Sequence, residues 1–258
     1  MNGFARHGID HLSASSLNLW VAEPAVWAME RLLGYRSPPS AQMVRGKAVE
    51  EGIHCGLVDA ARSIEACSAT ALAAFDREMA LIPDDRRDSE RDQIPGYVEH
   101  GLAELRQYGA PTSYQDRVEI RLEGVPVPVI GFIDWRFDQH GLILDLKTSE
   151  RLPSAITLSH ARQGAVYTRA HGNYAMRFAY VKPTAGKKDG RAVVVYELER
   201  TEVDRQMAAL REIALRLERF LRISADAREI CGLIVPDYER FHWSNPLTRA
   251  RGADVFGF

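Results

Sequence analysis

Cysteine is scarce in this chain. Only Cys55, Cys67 and Cys231 occur, and no two are spaced as a CxxC pair. A disulfide framework and a cysteine-based zinc set are therefore excluded, and reduced thiols packed in a cytoplasmic protein are expected. Long apolar runs are missing as well. No stretch approaches the roughly eighteen apolar residues a membrane span needs, and no basic segment followed by an apolar one marks the start of the chain. Positive charge is not in surplus: the formal net charge is -2. A global positive field thus cannot drive nucleic-acid binding, although arginine far outnumbers lysine and suits local bidentate phosphate contacts. There is no internal repeat, no glycine-rich phosphate loop and no nucleophile elbow.

What remains is an ordinary globular composition over 258 residues, enough for one large core. Helical signals fill the first part. A serine-rich start at Ser13, Ser15 and Ser16 precedes an apolar periodicity from His11 to Tyr35, interrupted at Pro24. After the linker Ser37-Pro38-Pro39-Ser40, a helix is expected from about Gln42 to Ala61, then two more over Ser63 to Ala80 and Ser89 to Tyr108. The charged string from Asp84 to Asp92 reads as a solvated face or exposed loop. Strands follow at Asp116 to Leu122, Val127 to Asp138, Leu142 to Lys147, Tyr174 to Val181 and Arg191 to Leu198. A helix from Ser154 to His171 lies between the third and fourth, and a striped helix from Thr201 to Arg222 follows the last. The aromatic tail holds Tyr238, Phe241, His242 and Trp243.

The chemistry concentrates between Gly131 and Glu150, where two strands joined by a turn at Gln139-His140-Gly141 look buried apart from their charges. Asp145 and Lys147, two apart on a strand, share a face. Buried charges are expensive unless paired or bound to metal. The triplet alone fits a structural ion pair as well as a functional site. Asp134 on the preceding strand adds a second carboxylate, and the set then suits a divalent cation with a lysine beside it. On the helix after the linker, Gly46, Glu50 and His54 fall on one face. Gln163 and Tyr167 do so on the later helix. Lys187 and Lys188, in the basic loop from Lys182 to Gly190, either touch a phosphodiester backbone or solubilise a turn.

In order, these residues read Ser15-Ser16-Leu17, Gly46-x-x-x-Glu50, Gly131-x-x-Asp134, Asp145-Leu146-Lys147-Thr148 and Gln163-x-x-x-Tyr167. The series resembles the RecB-like branch of the PD-(D/E)XK nuclease superfamily, and within it the phage-type exonucleases, over roughly Ser13 to Val181. The resemblance implies a restriction-endonuclease-like α/β fold, with a mixed central sheet flanked by helices. It implies one nuclease domain over 1–258: a mainly helical part (1–111) contributing Glu50, a β-rich core (112–200), and a C-terminal helix with its tail (201–258). Glu50, Asp134, Asp145 and the Leu146 carbonyl would hold Mg²⁺, with Mn²⁺ as a substitute. Lys147 would orient or activate the attacking water. Gln163, Tyr167, Ser15, Ser16, Arg45 and Thr148 would contact DNA, with Glu51 and His54 as alternatives at the helix site.

One departure matters. Relatives that carry an iron–sulfur cluster use a Cys-Pro in the first helical segment and a C-terminal cysteine group. Here Glu23 precedes Pro24 and the C-terminal part offers only Cys231, so no such cluster is expected. The implied activity is a metal-dependent DNA exonuclease of phage or prophage recombination or repair, working with a single-strand annealing protein or as a homo-oligomer. A structure- or site-specific endonuclease, or a non-catalytic DNA-binding subunit, would share the fold.

Overall fold

The structure is a computed structural model, and it describes residues 1–185 and 190–257. The expectation for Lys187 and Lys188 lies outside the described residues. The helices before the sheet are α1 (Gly3–Arg6), α2 (Ala14–Ala22), α3 (Pro24–Arg31), α4 (Ala41–Val58), α5 (Ile64–Met79), α6 (Arg87–Asp92) and α7 (Ile94–Leu105). Then come β1 (Ser113–Ile120), β2 (Val129–Phe137), β3 (Leu142–Thr148), α8 (Leu158–Ala170), β4 (Ala175–Val181) and β5 (Val193–Glu197). The chain closes with α9 (Arg200–Leu221), α10 (Ala227–Cys231) and α11 (Pro246–Phe256).

Local chemistry sets the breaks. The Ser13 hydroxyl caps α2 by accepting the Ser16 N–H, and Ser40, Ser63 and Thr157 cap α4, α5 and α8 in the same way. Pro24 occupies the first turn of α3, where its missing N–H costs nothing, so α2 stops at Ala22. Pro95 does the same for α7. The single helix expected from Ser89 to Tyr108 is thereby divided into α6 and α7, with a 3₁₀ turn over Arg106–Tyr108.

The five strands stand in sequence order. The β3–β4 pair is parallel, crossed by α8, and the others are antiparallel. Each face carries its own core. Ile143, Met176, Phe178 and Tyr180 pack beneath α8 and α9 with Ala165, Leu210 and Leu217. Leu142, Leu144, Leu146 and Val181 pack beneath α4, α5 and α7 with Val49, Ile53, Phe75 and Val98.

Two strands change faces partway along. In β2, Val129 and Ile133 belong to the α8 core while Trp135 and Phe137 belong to the α4 core, although all are odd-numbered. In β1, Val118 and Ile120 belong to the α8 core and Tyr114 to the α4 core. Regular alternation would keep each set on one face. The reversal occurs at Gln115, whose φ of 52° is left-handed within a strand, and at Asp134, in the same break of the β1–β2 ladder. At the same level the sheet forks. The β2–β3 ladder holds only Trp135–Leu144, Arg136–Ile143 and Phe137–Leu142, and one further step would have set Asp134 opposite Asp145. Instead the Asp134 carboxylate accepts the Leu146 N–H at 2.9 Å.

Candidate metal and nucleic-acid site

The fork brings the acidic residues together. Asp134 and Asp145 are buried, at 9% and 0% exposure, and Glu50 approaches half-buried from α4. The Gln115 amide links them, donating to Glu50 Oε1 and, at 3.4 Å, to Asp134 Oδ1. Lys147 Nζ pairs with Asp145 Oδ1 at 2.5 Å, while Oδ2 of that buried carboxylate has no hydrogen-bond donor. The same ammonium donates to Gln163 Oε1 at 2.9 Å, and the Gln163 amide donates to the Tyr167 hydroxyl at 2.8 Å. The Leu146 carbonyl lies on the same side of β3 as its N–H and therefore also faces the fork.

The electrostatics are those of a crowded anionic cluster. Burial, then the charges of Asp145 and Glu50, push Asp134 well above the usual carboxylate range. Burial also raises Asp145, against the opposing pull of Lys147. It raises Glu50 too, against the Gln115 hydrogen bond and with help from Asp145. Burial alone would lower the Lys147 ammonium, but Asp145 and Asp134 outweigh it and hold the group above its normal value. A cation among these oxygens would relieve both the repulsion and the unmet acceptor on Asp145, so the donor set fits a hard divalent ion. Among the described residues no three acidic, histidine or cysteine side chains form a ready-made cage. The Gln115 amide, donating to both Glu50 and Asp134, orients these two carboxylates toward the fork.

Other expected residues are placed differently. Arg45, expected to touch DNA, is fully buried: it pairs with Glu90, donates to Thr148 Oγ1 at 3.3 Å, and lies over the Tyr97 ring. Its guanidinium thus ties α4 to α6 and to the end of β3, and Thr148 is its acceptor. The charged string from Asp84 to Asp92 is exposed or half-buried, as expected, except at Glu90, which is buried; within it Arg91 grips both oxygens of Asp76 at 2.7 Å. Ser16 is buried and accepts the Trp27 indole N–H at 3.0 Å, whereas Ser15 is exposed, its hydroxyl 2.9 Å from that of Ser13. Glu51 pairs with Arg77 at the surface. His54 stacks on Tyr114 with its Nδ1 facing the Trp135 indole N–H, and burial lowers its pKa, so it is a neutral wall of the site. Gly46 admits the Thr148 side chain, at 3.4 Å from where a Cβ would stand.

Sequence reasoning missed Gln115, which fell just before the expected strand and matches no spacing rule. It also missed Phe132, which reads as one more apolar residue of a buried strand but is 48% exposed. In the tail, Trp243 is buried against Ala25, Val26 and Met29, and Tyr238 packs on it, while Phe241 remains exposed. Cys67 and Cys55 lie in or against the α4 core and Cys231 in the α8 core. No helix among the described residues is long and apolar enough to cross a membrane.

A search of curated proteins returns no match. Among solved structures, a Eubacterium rectale protein provisionally described as an exonuclease aligns at a TM-score of 0.62 with 13% identity, covering 93% of this chain and 88% of that one. At that identity the likeness speaks for the fold. A second structure, of SSO0001, aligns at 0.35 with 14% identity over 69% of this chain and 87% of that one. The family model for the PD-(D/E)XK nuclease superfamily matches residues 11–233. That span takes in the fork, its carboxylates and Lys147, and this chain belongs to the PD-(D/E)XK nuclease superfamily.

Proposed function

We propose that this protein is a divalent-metal-dependent deoxyribonuclease that removes nucleotides from DNA ends. The observation that carries the reading is the forked β2–β3 pair, with Asp134 and Asp145 at the fork, Glu50 facing them and Lys147 alongside. Glu50, Asp134, Asp145 and the Leu146 carbonyl would hold Mg²⁺ or Mn²⁺. When bound, the ion supplies a water of lowered pKa and positive charge against the non-bridging phosphate oxygen.

The chain's own residues do the rest. Lys147 remains an ammonium beside Asp145 and stabilises charge that builds on the phosphate in the transition state. Gln163 fixes that ammonium by accepting one of its protons, and Tyr167 fixes Gln163. Gln115 bridges Glu50 and Asp134 and so orients both carboxylates. The provisional description of the Eubacterium rectale neighbour favours exonuclease over endonuclease action. Roles in phage recombination or repair, an annealing-protein partner and a homo-oligomer rest on the sequence resemblance.

The test incubates purified protein and Mg²⁺ with single- and double-stranded DNA labelled at either end, and with covalently closed circles. Stepwise loss of nucleotides from ends, intact circles and complete inhibition by EDTA are expected. Linearised circles would make it an endonuclease, and no metal-dependent cleavage of any substrate would leave a DNA-binding subunit.

A further inference from the structure

The fork that creates the acidic site also opens a cavity beside it. Past Asp134, β2 has no β3 partner. Leu12 takes over part of that edge, accepting the Ile130 N–H at 2.8 Å and donating to Pro128 O at 2.9 Å. Between this bridge and Asp134 lies a cavity of about 350 Å³. Tyr167 and Gly131 form its floor. The missing Cβ of Gly131 lets the Tyr167 ring lie against β2, since a Cβ there would stand 2.7 Å from Tyr167 Cε1. Phe132, a half-exposed residue, is also among those lining the cavity, and His11, Ser13, Ser15 and Gln163 are the polar residues around it.

Three observations define the occupant. The cavity shares Gln163 with the catalytic lysine, so its occupant lies beside whatever group Lys147 holds. Its interior is aromatic and aliphatic with a few polar groups, as small-molecule sites are, and its volume falls at the lower end of their range. Phe132, two residues from Asp134, brings a half-exposed aromatic side chain to the residues that line this cavity. A nucleobase has the flat apolar face that such a ring stacks upon, and polar edges for the surrounding hydroxyls, imidazole and amide.

We infer that this cavity is a subsite for one unpaired nucleoside of the DNA substrate, its base stacked on Phe132 and its phosphate directed to the Lys147 ammonium. The inference rests on the nuclease reading of the fork. It adds that the bond to be cut is presented with its neighbouring base splayed from the duplex, so unpaired ends are the preferred substrate.

The experiment measures binding, in Ca²⁺ without Mg²⁺, of oligonucleotides carrying 2-aminopurine or an abasic unit at either terminus, and single-turnover cleavage in Mg²⁺. With the unchanged protein, fluorescence at one terminus is quenched on binding. Phe132→Leu abolishes the quench and weakens binding of the base-bearing end by about 5- to 150-fold, the range for loss of one stacked base. The same variant binds the abasic end as the unchanged protein does, and Phe132→Trp restores both quench and affinity. No quench at either end, or Phe132→Leu binding as tightly as the unchanged protein, overturns the subsite, as does an equal loss on the abasic end. If stacking holds but no DNA is cut in Mg²⁺, the nuclease reading fails and the subsite stands. If cutting proceeds and Phe132→Leu changes nothing, the subsite fails and the nuclease reading stands.

Discussion

Gln115 and Asp134 stand in the break of the β1–β2 ladder between the Tyr114–Trp135 and Asp116–Ile133 pairs, and the amide of the first donates to the carboxylate of the second at 3.4 Å from a backbone twisted into the left-handed region. Left-handed backbone costs a residue with a Cβ about 1–2 kcal/mol. Here it coincides with the change of face in both strands, which turns Asp134 toward Glu50. Strain of this kind persists where the surroundings over-determine it, often at functional sites. Gln115→Ala keeps the strain and loses both hydrogen bonds, while Gln115→Gly loses the bonds and relieves the strain. Urea unfolding should therefore find the glycine variant about 1 kcal/mol more stable than the alanine variant. Calorimetric Mn²⁺ titration should find affinity reduced about 10- to 100-fold in both, the usual cost of removing a partner that orients ligands. Equal stability of the two variants would show that the left-handed backbone carries no strain.

Asp145 and Lys147 form an ion pair in which the buried carboxylate depends on the ammonium, with exposures of 1% and 22% for their side chains. Asp145→Asn or Lys147→Met should each lower Mg²⁺-dependent hydrolysis by at least about 10²-fold, the scale of a lost transition-state contact. Lys147→Met should also destabilise the metal-free fold, because it leaves Asp145 buried beside Asp134 and Glu50 without an ammonium, at a cost of about 3–5 kcal/mol, whereas Asp145→Asn leaves Lys147 facing Asp134 and Glu50. The double variant should be more stable than Lys147→Met and equally inactive. Thermal melts alongside cleavage rates check both statements; a double variant less stable than Lys147→Met would remove the pairing argument.

Asp134 offers a pH test with a definite sign. Its carboxyl is raised above the usual 3.8, by burial first and then by Asp145 and Glu50. Between its unfolded and folded values the folded chain binds the extra proton, so this residue's contribution to stability is full below about pH 4 and is lost as pH rises. Asp134→Asn, which can still accept the Leu146 N–H, escapes that loss. Without metal, its advantage over the unchanged protein should be absent at pH 4 and grow toward pH 8, on the order of 1 kcal/mol or about 2–4 °C in Tm. Saturating Mg²⁺ at pH 8 should erase it by stabilising only the unchanged protein. A Tm difference that does not vary with pH would refute the raised carboxyl.

Much of this was legible in the sequence, and the legible part follows from periodicity. The strand pairs around Gly141, the break at Pro24 and the helix bearing Gln163 and Tyr167 all appear where alternation, a proline or an i, i+4 spacing sets them. The same spacing that grouped Gly46, Glu50 and His54 brought Glu50 to the fork, yet it could not show that His54 faces the Trp135 indole. Gln115 was invisible because its importance comes from a dihedral angle and from a partner 65 residues away. Phe132 was misread because alternation places it among apolar neighbours, while the loss of the β3 partner past Asp134 is a tertiary event.

Arg45 was misread for a related reason: its counter-ion lies 45 residues away in a string of charges that looks solvated. The structure makes it a strut between helices, with side-chain exposures of 0% for Arg45 and 3% for Glu90. Glu90→Gln then leaves a buried guanidinium facing only Thr148 and the Tyr97 ring, at a cost of about 3–5 kcal/mol. Replacing both residues by methionine removes the charges together and should recover most of that loss, because desolvation offsets much of what a buried pair gains. Denaturant unfolding of the three proteins measures the cycle. DNA affinity, read at a temperature where all three are folded, should be unchanged in the double variant if Arg45 acts only through packing. A double variant that is stable but binds DNA weakly would return Arg45 to the nucleic-acid surface, through a movement of α4 that exposes it.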